Sequence, residues 1–171
     1  MAAPRTFLRY APPSALRFSL WIALGFLVLV LDQGTKFWVE HAFNPDTRIA
    51  VTSFFNLVLA HNTGAAFSFL SDAGGWQRWL FTGLAGAVVA TIVVLLWKHN
   101  GKKLFSFALT MIAAGALGNL IDRAVYGFVI DFLDFHAGGW HWPAFNVADI
   151  AICVGAGLLI LDELLGVSRE R

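Results

Sequence analysis

The sequence predicts an all-α membrane protein with four transmembrane helices and a small β-sheet that lies on the outer face of the membrane it spans. Only 13% of the residues are charged, whereas a soluble domain has about 25%. The mean hydropathy is +0.68, and the apolar residues lie in long uncharged runs of the length that a bilayer requires. We therefore predict one integral membrane domain covering residues 1–171.

Four segments have the length and composition of membrane spans, since about 20 apolar residues of helix cross a bilayer core of about 30 Å. The first follows three arginines, as in a signal peptide, but no A-x-A-like cleavage site follows it, so we interpret it as an uncleaved helix. Small residues in the third span, from Ala113 to Gly118, predict close helix packing. The predicted spans are 18–38, 76–97, 104–123 and 143–165.

The distribution of lysine and arginine predicts the orientation of these spans. Eight of the 12 cationic residues fall on one side of the membrane, and cytoplasmic loops carry such an excess. Both termini are therefore predicted to be cytoplasmic, with segments 39–75 and 124–142 on the outer side. The eight residues are Arg5, Arg9, Arg17, Lys98, Lys102, Lys103, Arg169 and Arg171.

The outer segment 39–75 has strand-like patterns. The stretch from Arg48 to Ala60 is rich in β-branched and aromatic residues, which favour strands. "HNTG" (His61 to Gly64) indicates a turn, and "AAFSFL" (Ala65 to Leu70) resumes an extended pattern. We therefore predict that this segment forms the small sheet, while 124–142 is predicted to be a loop.

Composition excludes several functional classes. The net charge of +1 argues against a nucleic-acid-binding protein, which would need a basic face. The single cysteine, Cys153, excludes an intrachain disulfide. No H-E-x-x-H or Cys/His spacing indicates a metal site, and no G-x-S-x-G motif indicates a serine hydrolase. We interpret His61, His136 and His141 as interfacial or solvent-exposed residues.

Polar residues recur at the outer ends of the predicted helices. Asp32 and Lys36 are i,i+4 at the end of the first span, and Asn119, Asp122 and Arg123 share a face of the third. Ionisable groups near a bilayer are costly, so they are usually paired or functional. With Asn146 and Asp149, which share a face of the fourth span, these residues are predicted to converge at one depth.

Each polar group also has a purely structural interpretation. Asp32 and Lys36 are either a helix-end ion pair or functional residues, and Asp122 with Arg123 is interpreted as a structural network. Asp134 is interpreted as a solvated loop acid. Asp149 is predicted to be functional, because it lies nearly two turns into the fourth span with no cation near it in sequence.

Five motifs occur in order along nearly the whole chain, and together they resemble the lipoprotein signal peptidase (signal peptidase II) family of bacteria. Each short motif alone would be a weak signal, whereas five in order with four spans between them are specific. They are "DQGTKF" (32–37), "NTGAAFSFL" (62–70), "GNLIDR" (118–123), "VIDF" (129–132) and "FNVAD" (145–149).

The resemblance implies an aspartyl endopeptidase at the periplasmic face of the bacterial inner membrane. Such an enzyme cuts prolipoproteins just before a cysteine that carries diacylglycerol, contacts membrane lipid, acts as a monomer without cofactor or metal, and is inhibited by globomycin. The catalytic pair of the family corresponds to Asp131, in the outer loop, and Asp149. Its substrate-binding residues correspond to Asp32, Lys36, Asn62, Gly64, Asn119, Asp122, Arg123 and Asn146.

Two other classes remain open from the sequence. Acids within a membrane also form proton relays in transporters and channels, but here the acids gather at the outer ends of the spans and form no path across. A non-catalytic scaffold or insertion factor would tolerate Asp→Asn changes at both predicted catalytic positions, which a peptidase would not.

Overall fold

The structure, a computed structural model, describes residues 12–64 and 74–170. Within these residues the chain forms four helices and four strands. The stretch from Ala65 to Leu70, predicted to be extended, lies outside the described residues. The helices are α1 (Ala15–Ala42), α2 (Trp76–His99), α3 (Lys103–Val125) and α4 (Val147–Glu170). The strands are β1 (Arg48–Thr52), β2 (Phe55–Asn62), β3 (Val129–Ala137) and β4 (Trp140–His141).

Three of the helices, α1, α2 and α3, are long and apolar enough to cross a membrane. Within the described part of the chain α4 is not among them, so its assignment as a fourth span stays a prediction. The structure is thus mostly helical, with three candidate membrane helices and a small antiparallel sheet.

Glycines allow the helices to approach closely, as the small residues of the third span predict. A Cβ at Gly155 of α4 would lie only 2.6 Å from the main-chain oxygen of Ala108 on α3. At Gly115 of α3 a Cβ would overlap the main-chain oxygen of Ala148, and at Gly118 it would overlap the Asp32 carboxylate. Backbone therefore packs against backbone between α3 and α4, and Gly118 makes room for a charged side chain.

The sheet has the antiparallel order β1-β2-β3-β4. Strands β1 and β2 come from the segment predicted to form it. The prediction of a loop over 124–142 is wrong, because that segment supplies β3 and β4. The sequence of β3 alternates poorly because Val129, Ile130, Asp131 and Phe132 are all buried, and a strand covered on both faces loses the apolar–polar alternation that marks a half-buried strand.

An apolar cluster joins the sheet to the helices. Val39 and Phe43, at the end of α1, pack with Leu59 of β2 and with Ile130 and Phe132 of β3. Because β3 follows α3 and leads towards α4, the sheet lies at the end of the bundle where α1 and α3 finish and α4 begins.

The fourth helix begins at Val147 and not at the predicted Pro143. The preceding residues are held by the sheet: Phe145 donates to the Leu133 carbonyl at 3.2 Å, and Trp142 donates to the Phe135 carbonyl at 2.8 Å. Asp149 therefore lies in the first turn of α4, and the prediction that it lies nearly two turns into a helix is wrong.

Candidate active site

A buried ion cluster joins α1 to α3. Lys36 Nζ lies 3.0 Å from Asp32 Oδ2 and 2.8 Å from Asp122 Oδ2, and it donates to Asn119 Oδ1 at 2.9 Å. Since an ammonium group has three protons, these partners use its full donor capacity. We call Asp32, Lys36 and Asp122 the Lys36 cluster; its members are 0–1% exposed. Asp122 is therefore paired with Lys36 inside a buried network.

The two carboxylates of the Lys36 cluster also receive hydrogen bonds from other elements. Asp32 Oδ1 accepts from the Ala148 amide at 2.8 Å, in the first turn of α4, where orphan N–H groups favour negative charge. Asp122 accepts from the Ile130 amide at 3.2 Å and from Gln33 Nε2 at 2.9 Å. The cluster thus connects α1, α3, β3 and α4. Gln33 is a site residue that sequence reasoning missed, although it lies inside the "DQGTKF" motif.

Asn146 and Asp149 form a reciprocal cap at the start of α4. The Asp149 amide donates to Asn146 Oδ1 at 2.9 Å, and the Asn146 amide donates to Asp149 Oδ2 at 3.3 Å. This is a capping-box arrangement with aspartate in place of glutamate. The other oxygen of Asp149 accepts from Asn119 Nδ2 at 2.8 Å. Helix capping therefore fixes the direction of the Asp149 carboxylate.

Asp131, on β3, lies next to this cap. Its Oδ1 accepts from Asn146 Nδ2 at 2.7 Å, and its Oδ2 accepts from Asn62 Nδ2 at 3.1 Å. The Asn146 side chain thus bonds to the Asp131 carboxylate and to the main-chain amide of Asp149. Burial, and then the nearby Asp149 carboxylate, raise the pKa of Asp131 to about 7, although Asn62, Asn146 and Lys36 favour its ionised form.

Arg123 links the bundle to the turn after β2. Its Nη2 donates to the Gly64 carbonyl at 2.9 Å, and its guanidinium lies 5.4 Å from the ring centre of Phe81. The Gly64 amide in turn donates to Asn62 Oδ1 at 3.0 Å, which orients the Asn62 amide towards Asp131. The Nε of Arg123 is buried with no hydrogen-bond partner among the described residues.

All ten residues predicted from the sequence lie in this one connected network. The contacts therefore agree with the predicted convergence of the polar residues, while the role of each residue remains a prediction. The ten are Asp32, Lys36, Asn62, Gly64, Asn119, Asp122, Arg123, Asp131, Asn146 and Asp149.

The interpretation of Asp134 as a solvated loop acid is wrong, because the residue is only 4% exposed and lies on β3. Asn56 Nδ2 donates to its Oδ2 at 2.8 Å, and His141 Nδ1 is hydrogen-bonded to its Oδ1 at 2.7 Å. Burial by itself would raise the pKa of Asp134, but these two hydrogen bonds and the charge of Arg48 outweigh it and leave that pKa below the ordinary value.

The histidines differ in their surroundings. His61 pairs with Glu40 at 2.9 Å, and His141 stacks on His136 with ring centres 4.9 Å apart. Within residues 12–64 and 74–170, no group of three histidine, cysteine or acidic side chains is arranged to hold a metal ion.

Comparison with known proteins agrees with the motifs. The family described as Signal peptidase (SPase) II matches residues 24–165. The lipoprotein signal peptidase of Ralstonia nicotianae is 60% identical over 149 residues, covering 87% of this chain and 86% of that protein. The lipoprotein signal peptidase of Paraburkholderia phytofirmans is 54% identical over 170 residues, covering 98% of this chain and 99% of that protein.

Two solved structures described as bacterial membrane enzymes share the fold. One has a TM-score of 0.83 at 27% identity and covers 95% of this chain and 97% of its own. The other has a TM-score of 0.76 at 27% identity, with coverages of 91% and 97%. The family match, the identities and the shared fold lead to one conclusion: the chain is a membrane-embedded member of the signal peptidase II family, the lipoprotein signal peptidases.

Proposed function

We propose that the protein is an aspartic endopeptidase that removes signal peptides from bacterial prolipoproteins, cutting just before the diacylglyceryl cysteine. The observation that carries this proposal is a pair of carboxylates, Asp131 and Asp149, that accept hydrogen bonds from the side-chain and main-chain amides of Asn146 respectively, with the pKa of Asp131 raised to about 7. Two neighbouring carboxylates do not both ionise readily, so the pair holds one proton near neutral pH, and the apparent pKa values belong to the pair.

A pair that holds one proton can supply both a base and an acid. The ionised carboxylate takes a proton from water as the water oxygen bonds to the scissile carbonyl carbon. The protonated carboxyl donates a hydrogen bond to the carbonyl oxygen as charge develops there. When the carbon–nitrogen bond breaks, the leaving amine receives a proton, and the pair returns to its starting state.

The remaining site residues divide by exposure into two proposed roles. Those of the Lys36 cluster are fully engaged and buried, so they act by holding Asn119 and the start of α4 in place. Asn62 and Arg123 are only half-buried. Together with Gly64, which is buried and bonded to both of them, they are proposed to align the substrate backbone, since precise alignment of reacting atoms lowers the barrier. This division refines the expectation that all of these residues bind substrate directly.

The proposed location follows from the same arrangement. Four spans, with both termini cytoplasmic, would place the sheet on the periplasmic surface of the inner membrane. A substrate anchored by its signal helix and its acyl chains would then reach the carboxylates sideways through the bilayer. The enzyme is proposed to act as a monomer in contact with membrane lipid. Globomycin is proposed to inhibit by occupying the same cleft.

The direct test is cleavage by the purified protein in lipid vesicles. A diacylglyceryl prolipoprotein should be cut before its modified cysteine, while the same chain without the lipid should be cut far more slowly. Globomycin should stop the reaction, and a metal chelator should leave it unchanged. Absence of cleavage by protein shown to be folded would contradict the proposal.

The orientation is tested separately by labelling. In a Cys153→Ser background, a cysteine at the exposed Asp46, before β1, should react with a membrane-impermeant thiol reagent applied to the periplasmic side of intact cells. A cysteine at Gly101, between α2 and α3, should react only after the membrane is opened. The reverse pattern would place the site in the cytoplasm and contradict the proposed location.

A further inference from the structure

One buried carboxylate connects all four strands of the sheet. Asp134 lies on β3, and its partners are Arg48 of β1, Asn56 of β2 and His141 of β4. We call these four residues the Asp134 cluster. It shares no residue with the ten of the candidate active site, yet it lies on the strand that carries Asp131.

Between Asp134 and Asp131 the pairing of β2 with β3 is irregular. Asn56 is opposite Asp134, and Ala60 is opposite Asp131, so four steps along β2 match three along β3. The extra residue forms a β-bulge, a feature common beside active sites, where it redirects a side chain. Beyond the bulge, Asn62 is opposite Val129, and its amide reaches Asp131 at 3.1 Å.

An amide–carboxylate hydrogen bond therefore lies on each side of the bulge. Asn56 to Asp134 is the buried one, at 2.8 Å, and Asn62 to Asp131 is the one in the site. A strand that slips by one residue turns every side chain to the opposite face. Because three apolar residues flank Asp134 on β3 ("DFLDFH", 131–136), apolar packing alone discriminates poorly between registers.

We propose that Asp134 is a positioning residue that fixes the β2–β3 register across the bulge and thereby holds Asp131 against Asn62 and Asn146. This inference rests on the proposed catalytic role of Asp131. The contacts of Asp134 favour a carboxylate, because Asn56 donates to Oδ2 and the Arg48 guanidinium lies 3.8 Å from the same oxygen. An asparagine removes the charge that faces Arg48, and its NH₂ group faces a donor whenever His141 carries its proton on Nδ1. A buried amide facing another donor leaves a polar group unsatisfied and weakens the pairing.

The register can be measured without any activity. In a Cys153→Ser background, cysteines at Leu57 and Leu133, which are directly opposite each other, should form a disulfide under mild oxidation. Asp134→Asn should lower the yield of this cross-link several-fold. The matched control is Asp46→Asn, which removes an exposed acid just before β1 and should leave the yield unchanged.

Activity then shows whether the register positions Asp131. Asp134→Asn should lower kcat about 10²-fold with little change in KM, the cost of a misplacement of about 1 Å at a catalytic group. The reciprocal exchange Asn56→Asp with Asp134→Asn restores one amide–carboxylate bond across the strands and should recover most of the lost kcat. Asn56→Ser, which leaves His141 and Arg48 on Asp134, is the milder variant and should give an intermediate loss of both kcat and cross-link.

The proposal is overturned if Asp134→Asn matches Asp46→Asn in both kcat and cross-link yield. If Asp134→Asn does not fold, Asn56→Ser takes its place in this comparison. It is also overturned if the reciprocal exchange is as impaired as the sum of its two single changes. The cross-link is measured without substrate. If Asp134→Asn lowers the cross-link yield as expected but the parent protein cuts no prolipoprotein, the result would contradict the proposed function and leave the role of Asp134 in the strand register supported.

Discussion

Asp131→Asn and Asp149→Asn are each expected to lower prolipoprotein cleavage by about 10³-fold or more while the chain stays folded. In either variant the pair can no longer combine an ionised base with a protonated acid. The double variant should lose little beyond either single one, because groups that act as one unit are strongly non-additive. Initial cleavage rates in lipid vesicles, with thermal unfolding of the same samples, measure both quantities.

The same pair sets the expected pH dependence. The pKa of Asp131 is raised from 3.8 to about 7, so cleavage should decline as pH rises above about 7, where the proton of the pair is lost. It should also decline in acid, where both carboxyls are protonated, which gives a bell-shaped profile. Stability depends on the protonation of Asp131 in the direction opposite to that of a salt-bridged acid. Between pH 3.8 and about 7 the Asp131 carboxyl holds a proton in the folded chain but not in the unfolded chain. The contribution of Asp131 to stability therefore falls as pH rises through that window.

The matched control for the pair is Asp46→Asn, because Asp46 is an exposed acid on the same side of the bundle. It should cleave at the parent rate. Asp134→Asn is unsuitable as a neutral control, since the structure shows that acid to be buried and bonded. Cleavage at more than a tenth of the parent rate by folded Asp149→Asn would rule out the assignment.

Lys36→Met is expected to lower the free energy of unfolding by about 3–5 kcal/mol, the usual cost of removing one partner of a buried ion pair. Methionine keeps the length of the lysine side chain but leaves Asp32 and Asp122, which are 0–1% exposed, facing each other without a cation. Asn119 Oδ1 also loses one of its two donors and keeps only Asn146 Nδ2. Cleavage should fall as well, because Asn119 bonds to Asp149.

A triple variant separates charge from packing at this cluster. Asp32→Asn and Asp122→Asn, added to Lys36→Met, remove the uncompensated charges, so most of the lost stability should return while cleavage stays low. Unfolding in detergent micelles, followed by heat or denaturant, measures the change. If Lys36→Met unfolds like the parent protein, the cluster contributes nothing to stability, and Lys36 would have to act on substrate directly.

The variants of the acid pair and of Lys36 are expected to differ in stability, which distinguishes reacting groups from groups that hold the fold. The Asp131 and Asp149 variants should lose activity and keep stability, whereas Lys36→Met should lose both. Equal loss of stability in all three variants would mean that the two acids of the proposed pair are structural, as the capping role of Asp149 would then explain.

Sequence alone determined the three long apolar helices and the polar residues at their ends. Uncharged runs and i,i+4 spacing are local properties, so they can be read without a structure. The motifs also indicated the family, which the comparisons confirm. They indicated ten candidate site residues as well, whose roles remain predictions.

Tertiary structure decided what lies between those helices. Strand β3 was hidden because its residues are buried on both faces, which removes the alternation that marks a strand. The start of α4 moved to Val147 because Phe145 pairs with Leu133, and Asp134 became a buried partner of Asn56, which is 78 residues away in the chain. Burial, register and long-range pairing depend on which segments meet, and that is settled by the free energy of the whole fold and not by any local run of residues.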